Sequence, residues 1–402
     1  MVKSLFISSN FNGKSGSSRA ATDQLIATIK NSSETTVLSC TGFASVRDTI
    51  SNRCGIKPTW LEVRQHFSNL GYGLRSPVIR VLKSARWKPT NYLAKRHLFA
   101  RKFDLILINS ISGDALCELF AKNTKGTRIF LLHGTPDVYT KSFCDRDEEH
   151  LRYSGILNKY DYIISPSEKA VFKWRECGLI TDPDNIHIIP NCCNEDTAFE
   201  VSRINKEDLR ADLGIPAGAF VVVCVGSLIK RKGQDLLLES LRNIAETIPN
   251  LKVFIIGGKV DGEEEYLQHL KALCHCLPVQ FTGFRHDALK FIRAADLFVL
   301  PSRSEAMPLS ILEAMCLDTP AIVSDIDGNP ELIENEIDGL LVPPESPESI
   351  GKAIEKACFN PDMRLSMAQN AREKYWTNFS RASQLAAWQR ALRRITEATK
   401  LN

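Results

Sequence analysis

The chain has 402 residues, 44% of them hydrophobic, and a net charge of +4 from 51 Lys plus Arg against 47 Asp plus Glu. That length exceeds the roughly 250–300 residues at which a single core stops growing, so two domains are expected. The charge excess is too small to indicate a nucleic-acid partner, and none is expected. The twelve cysteines include no C-x-x-C, and Cys192-Cys193 and Cys274-His275-Cys276 are too tightly spaced for zinc, so reduced thiols in a reducing compartment are expected. The N-terminal apolar run is shorter than a signal-peptide core and no run approaches the ~20 residues of a membrane span, so a cytoplasmic protein is expected.

Residues 3–9 read as a first strand, followed by a glycine-bearing loop through Gly16 and a helical pattern to Ile29. Such a loop turns backbone N–H groups and a helix start toward an anion. Gly13-Lys14-Ser15 matches the end of a phosphate-binding P-loop. Ser8, however, stands where its first glycine belongs, and no strand ends in an acidic residue to hold magnesium; a tight turn without a ligand is the simpler reading. Val37 to Cys40 is the next strand. From Arg53 to Lys102 lies the least regular stretch, with twelve basic residues against the single acid Glu62 and with Trp60, Phe67, Tyr72, Trp87, Tyr92 and Phe99 interleaved. Residues 53–102 suit contact with an anionic membrane surface, met peripherally at the inner face, or with an anionic acceptor, or else a solvated face.

Strand patterns recur at 104–109, 128–132, 161–165 and 186–189, most of them separated by helical stretches. A second series follows at 221–225, 252–256, 279–282, 297–300, 321–324 and 339–342. Alternating strands and helices predict an α/β fold with two doubly wound parallel sheets, divided into residues 1–195 and 196–377 and facing each other across a cleft. Ligands bind beyond the carboxyl ends of such strands. His133 follows one strand end. Gly226 to Gly233 follows another, where Lys230, Arg231 and Lys232 precede a helix and suit a diphosphate. The 378–402 region reads as one basic amphipathic helix carrying Leu385, Trp388, Leu392 and Ile395.

Two carboxylates frame the strand, loop and helix of Ala294 to Leu317. Glu305 lies in the loop. Glu313 lies in the helix among Ile311, Leu312, Ala314, Met315 and Leu317, where an ionised group is costly to bury without partners. The two adjacent hydroxyls of a ribose would satisfy it, and the helix-start residues Leu309, Ser310 and Ile311 offer N–H groups to an attached diphosphate. The Asp-x-Asp pairs at Asp145/Asp147, Asp182/Asp184 and Asp325/Asp327 do not persuade as metal sites.

The Glu305-x7-Glu313 pair, the Lys232-Gly233 turn, the Ala-Asp-Leu-Phe-Val-Leu-Pro-Ser strand before Glu305, and Asp325, Gly328 and Glu331 resemble the retaining GT-B glycosyltransferases of glycosyltransferase family 4. The resemblance is dense over 219–345 and continues in order through the Gly16 loop, His133-Gly134, Ser165 to Glu168 and the Ile-Pro-Asn-Cys near the linker. It implies metal-independent, cofactor-free transfer of a sugar, with retention, from a nucleoside-diphosphate sugar to a carbohydrate or lipid-linked acceptor. It implies that Lys232 and Arg231 bind the diphosphate, Glu313 the ribose and Glu305 the donor sugar. It further implies that the Ala306 and Met307 backbone holds the sugar hydroxyls, Gly16 approaches the phosphates, and His133 reaches the donor near the acceptor. The last helix would return to the first domain, and domain closure would exclude water. The chain departs from the common pattern at Ser227, where many members carry Arg, at Ala306-Met307-Pro308, where Gly-Phe-Gly is frequent, and at Asp318, where glycine is common. A non-catalytic subunit of a glycosyltransferase complex and a nucleotide-sugar epimerase are the alternatives.

Overall fold

The computed structural model describes residues 3–8, 24–25, 28, 34–39, 59–62, 102–109, 126–136, 157, 159–180, 182, 184–260 and 262–401. Short aliphatic runs form two sheets. The first holds β1 (Lys3–Ser8), β2 (Glu34–Ser39), β3 (Thr59–Glu62), β4 (Leu105–Asn109), β5 (Thr127–Leu131), β6 (Tyr162–Ser165) and β7 (Ile186–Ile188), in the order β3-β2-β1-β4-β5-β6-β7. The second holds β8 (Phe220–Val225), β9 (Leu251–Ile256), β10 (Val279–Gly283), β11 (Leu297–Leu300), β12 (Ala321–Ser324) and β13 (Leu340–Val342), in the order β10-β9-β8-β11-β12-β13. Every pairing is parallel. All five residues of β4 and all four of β11 are buried, as expected of parallel strands covered on both faces.

Alternation along the strands divides the second core in two. Val221, Val223, Phe298 and Leu300 pack on one face with Ile311, Leu312 and Met315 of the Leu309–Cys316 helix. Val222, Cys224, Leu297 and Val299 pack on the other with Leu237 and Leu241 of the Gln234–Ile244 helix. The first core joins Phe6, Leu105, Leu107 and Ile129 to Trp388, Leu392 and Ile395, so the last helix, Arg381–Leu401, lies against the first sheet. It begins at Arg381 rather than Asn378, because a π-helical turn occupies Tyr375–Phe379 and the Ser380 hydroxyl accepts the Ser383 N–H at 3.3 Å as a cap.

One reading of the 53–102 stretch needs correction. It contains a strand, β3, at the edge of the first sheet and paired to β2. Four residues are too few for an alternating pattern to stand out in a basic segment. Among residues 53–102 only 59–62 and 102 are described. Strand order reverses between β1 and β4 in one sheet and between β8 and β11 in the other, which marks the carboxyl ends of those four strands as ligand-binding positions.

Candidate functional site

Beyond β8 the chain makes a short 3-10 turn, Lys230–Lys232, and reverses at Gly233 with φ +67°. A side chain at Gly233 would place its Cβ 1.9 Å from the Pro301 carbonyl oxygen, so only glycine fits between this turn and the end of β11. Gly226 lies against the Lys232 stem, its Cβ position 3.2 Å from Cδ. The two glycines lay Lys232 along the strand end with its ammonium aimed at the neighbouring loop.

That loop, Ser302 to Pro308, carries Glu305, which is 6% exposed. Glu305 Oε1 accepts from Nζ of Lys232 and from the Ser302 hydroxyl at 2.9 Å, and Oε2 lies 3.2 Å from the Arg231 guanidinium. Burial pushes the carboxyl up, but Lys232 and Arg231 outweigh it and hold Glu305 below the ordinary carboxylate value. Arg231 Nη1 also donates to the Ser304 carbonyl at 2.5 Å. The expected phosphate-binding cations and the expected sugar-binding carboxylate therefore form one cluster.

Pro308 precedes the Leu309–Cys316 helix, and Glu313 on that helix is 2% exposed. Leu309 and Ser310 lie in the first turn, whose amides have no intrahelical acceptor. The Ile311 N–H, expected to face a ligand, instead donates to the Pro308 carbonyl at 3.3 Å. Ala306 and Met307 are buried, and the Met307 carbonyl accepts from Asn191 Nδ2 at 3.1 Å. Asp318 ends this helix with φ +56°, the left-handed position where glycine is usual, and pairs with Arg372 at 2.8 Å.

His133 follows β5, and its ring Nε2 donates to Oδ1 of Asn109 at the end of β4, leaving Nδ1 as acceptor. Burial pulls its pKa down to about 4, so the ring is neutral near pH 7. The loop is anchored on both sides: Trp174 Nε1 donates to the Gly134 carbonyl at 2.7 Å, and the hydroxyls of Thr135 and Ser304 are hydrogen-bonded. His133 is thereby brought within two residues of a contact adjoining Glu305. Gly16 lies outside the described residues, as do Lys14, Asp145 and Asp147.

Sequence reasoning missed several groups that shape this site. Arg303 binds Asp235 through two 2.8 Å bonds and ties the β11 loop to the helix after β8. Asp327, read only as part of an unpersuasive Asp-x-Asp pair, accepts the Glu305 N–H at 3.0 Å. A lone amide such as Asn109 or a lone hydroxyl such as Thr135 carries no signal in one sequence. A charged residue beside a strand end, such as Arg303 after Pro301, was the available clue.

Residues 205–374 match the family model described as "Glycosyl transferases group 1". The UDP-Gal:alpha-D-GlcNAc-diphosphoundecaprenol alpha-1,3-galactosyltransferase of Escherichia coli is 35% identical over 211 residues, which cover 50% of this chain and 52% of that protein. An uncharacterized glycosyltransferase of Methanocaldococcus jannaschii is 30% identical over 248 residues, 58% of this chain and 62% of that protein. The chain thus matches only part, 52% and 62%, of the length of these relatives. Anabaena HepE, solved in complex with UDP and glucose, shares the fold with a TM-score of 0.76 over 98% of this chain and 99% of that one, at 19% identity. The architecture is the two-sheet, Rossmann-like GT-B arrangement of solved glycosyltransferases.

Proposed function

We propose, from the premise that residues 205–374 belong to the glycosyl transferases group 1 family, that this protein is a retaining glycosyltransferase. It moves a sugar from a nucleoside-diphosphate sugar to an acceptor hydroxyl without a resident metal or cofactor. The observation that carries this reading is the cluster of partly buried Lys232 and Arg231 on buried Glu305 at the β8/β11 switch point, with Glu313 on the helix that follows.

In this reading the ribose hydroxyls are held by Glu313, and the diphosphate lies between the amides of Leu309 and Ser310 and the cations Lys232 and Arg231. Charge gathers on the diphosphate as the bond to the sugar breaks. Preorganised cations and amides stabilise that charge more in the transition state than before it. Glu305 and the Ala306-Met307 backbone orient the sugar, Gly16 approaches the phosphates, and neutral His133 faces the donor beside the acceptor. The acceptor attacks on the face from which the diphosphate departs, which accounts for retention. Residues 1–195, completed by the last helix, hold the acceptor, and residues 196–377 hold the donor.

The named substrate of the E. coli relative, a diphosphoundecaprenol-linked sugar, and the UDP bound by Anabaena HepE support a UDP-sugar donor and a lipid-linked acceptor in cell-surface polysaccharide or glycolipid assembly. No helix among the described residues is long and apolar enough to cross a membrane. Peripheral attachment at the cytoplasmic face through residues 53–102 would give access to such an acceptor, and binding to anionic vesicles should weaken with salt.

Thermal shifts with UDP, GDP and ADP, and with their sugars, identify the donor, because a ligand at a hundred times its dissociation constant adds about 2.7 kcal/mol. Turnover with an acceptor extract, together with the anomeric configuration of the product by NMR, tests the reaction. No transfer by wild type with any donor sinks the enzyme reading in favour of a non-catalytic subunit, and donor conversion without acceptor favours an epimerase.

A further inference from the structure

The Ser304 to Met307 loop is gripped by residues remote from it in sequence at three places. Thr135 holds Ser304 hydroxyl to hydroxyl. Asn191, near the domain junction, holds Met307 through its carbonyl at 3.1 Å and through its sulfur, which accepts the Asn191 N–H at 3.2 Å. The third grip passes through a turn. Asp327 Oδ2 accepts the Glu305 N–H at 3.0 Å, and the Gly328 N–H donates to the Glu305 carbonyl at 3.2 Å. The other oxygen of Asp327 pairs with Nζ of Lys173 at 3.1 Å. Lys173 stands on the Glu168–Glu176 helix, which follows β6 of the first sheet.

We propose that Asp327 is a positioning residue for Glu305, and that its ion pair with Lys173 makes the placement of Glu305 depend on the first domain standing against the second. This rests on the glycosyl-transfer reading above. One carboxylate serves both the loop backbone and the partner domain, so the two contacts are coupled through it. The turn cannot drift from the loop. A Cβ at Gly328 would lie 1.6 Å from the Ala306 carbonyl oxygen, so turn and loop meet backbone to backbone. Asp327 itself has φ +40°, a left-handed backbone that persists in a non-glycine residue where its surroundings fix it.

The same turn is fixed to the same helix a second time. Glu331 Oε1 accepts from the Ser167 hydroxyl at 2.8 Å and from the Lys169 N–H at 2.7 Å, so a second-domain carboxylate sits at the start of a first-domain helix, where negative charge is favoured. When the domains part, Asp327, whose side chain is 9% exposed, loses its cation. Parting also opens that carboxylate to water, which competes with the Glu305 N–H for it, so the turn relaxes and the Glu305 N–H is held less firmly. Glu305 is then set for the donor sugar only while the acceptor-side domain is in place, which limits donor hydrolysis by water.

Hydrogen exchange on the full chain reads this coupling without turnover. In Lys173→Met and in Asp327→Ala, amides of the 303–307 segment should exchange about fivefold faster, the factor one lost hydrogen bond of about 1 kcal/mol is worth. Amides of β9 should be unchanged, and Lys173→Arg should restore the wild-type rate. Unchanged exchange at 303–307 in both variants overturns the inference. So does a uniform increase across the second domain, which would mark a general loss of stability.

With a UDP-sugar donor, Lys173→Met should lower kcat by about tenfold to hundredfold, the size of effect that a misplacement of about 1 Å brings. UDP affinity should not fall, because Lys232 and Glu313 are untouched. A parallel loss of UDP affinity overturns the positioning role. If wild type transfers no sugar, the glycosyl-transfer reading fails, while the exchange result still decides the coupling.

Discussion

Arg303 and Asp235 face each other as a fork on a fork, Nη1 to Oδ1 and Nη2 to Oδ2, both at 2.8 Å. Arg303 comes from the loop after β11, and Asp235 from the first turn of the helix after β8. Arg303 also donates to the Lys230 carbonyl at 2.7 Å and to Glu345 at 2.6 Å, while Tyr266 donates its hydroxyl to Asp235 at 2.9 Å. The pair clamps together the two loops that carry Lys232 and Glu305. Paired geometry of this kind is directional as well as strong.

Asp235→Ala should lower folding stability by about 2–3 kcal/mol, the lower side of a broken buried pair because Arg303 keeps 19% of its side chain exposed. Burial pushes the Asp235 carboxyl up, but the bonds from Arg303 and Tyr266 outweigh it and hold the folded value below the ordinary one. The contribution is therefore present above the ordinary aspartate value of about 3.9 and is lost as pH falls from there through the lower folded value. Urea midpoints at descending pH should show wild type losing its advantage over Asp235→Asn across that window.

Glu305 occupies Lys232 and Arg231, the cations assigned to the diphosphate. Glu305→Gln should thus bind UDP at least as tightly as wild type while transfer falls by about a hundredfold or more, as for loss of one preorganised polar group. Calorimetry with UDP, beside single-turnover rates, separates the two effects. Weaker UDP binding in this variant would contradict the arrangement.

Gly233→Ala should cost at least about 2 kcal/mol, since it adds a clash with the Pro301 carbonyl to the left-handed backbone. Gly214 provides the control. It has the same φ of +67°, but nothing lies within 4 Å of the position a Cβ would take there, so Gly214→Ala should carry the smaller, conformational cost alone. Thermal unfolding of both variants, with UDP affinity for Gly233→Ala, checks the difference.

His133 should remain neutral through the physiological range. Burial lowers its pKa to about 4, so NMR of its imidazole should show no titration between about pH 8 and pH 5.5. The unfolded chain takes up this proton below about 6.5, so the residue subtracts stability as pH falls from there toward 4. A midpoint near 6.5 in the folded protein would show that the ring is solvated.

Much of the second sheet was legible in the sequence. Leu297–Leu300 and Ala321–Ser324 match the expected bounds, and β8 begins one residue earlier than expected, at Phe220. Four to six aliphatic residues between turn signals can hardly be anything but buried strands in a chain that alternates them with helices. The burial of Glu313 was legible too, from its neighbours in the helix. The edge strand β3 was not, because its four residues sit in a segment whose charge dominates its pattern.

The sequence by itself determined the alternation of strands and helices, the two parallel sheets, the presence of Glu305, Lys232 and His133 beside strand ends, and that of Glu313 in the helix after one of them. Only the tertiary structure decided which of these meet. Lys232 and Glu305 are 73 residues apart, Arg303 and Asp235 are 68 apart, and Lys173 and Asp327 are 154 apart. Local spacing fixes the face of a helix or strand on which a residue stands, because the backbone repeat is short and regular. Contact between distant charges is fixed by the order of strands in the sheet and by how one domain rests on the other, and neither leaves a periodic trace in the chain.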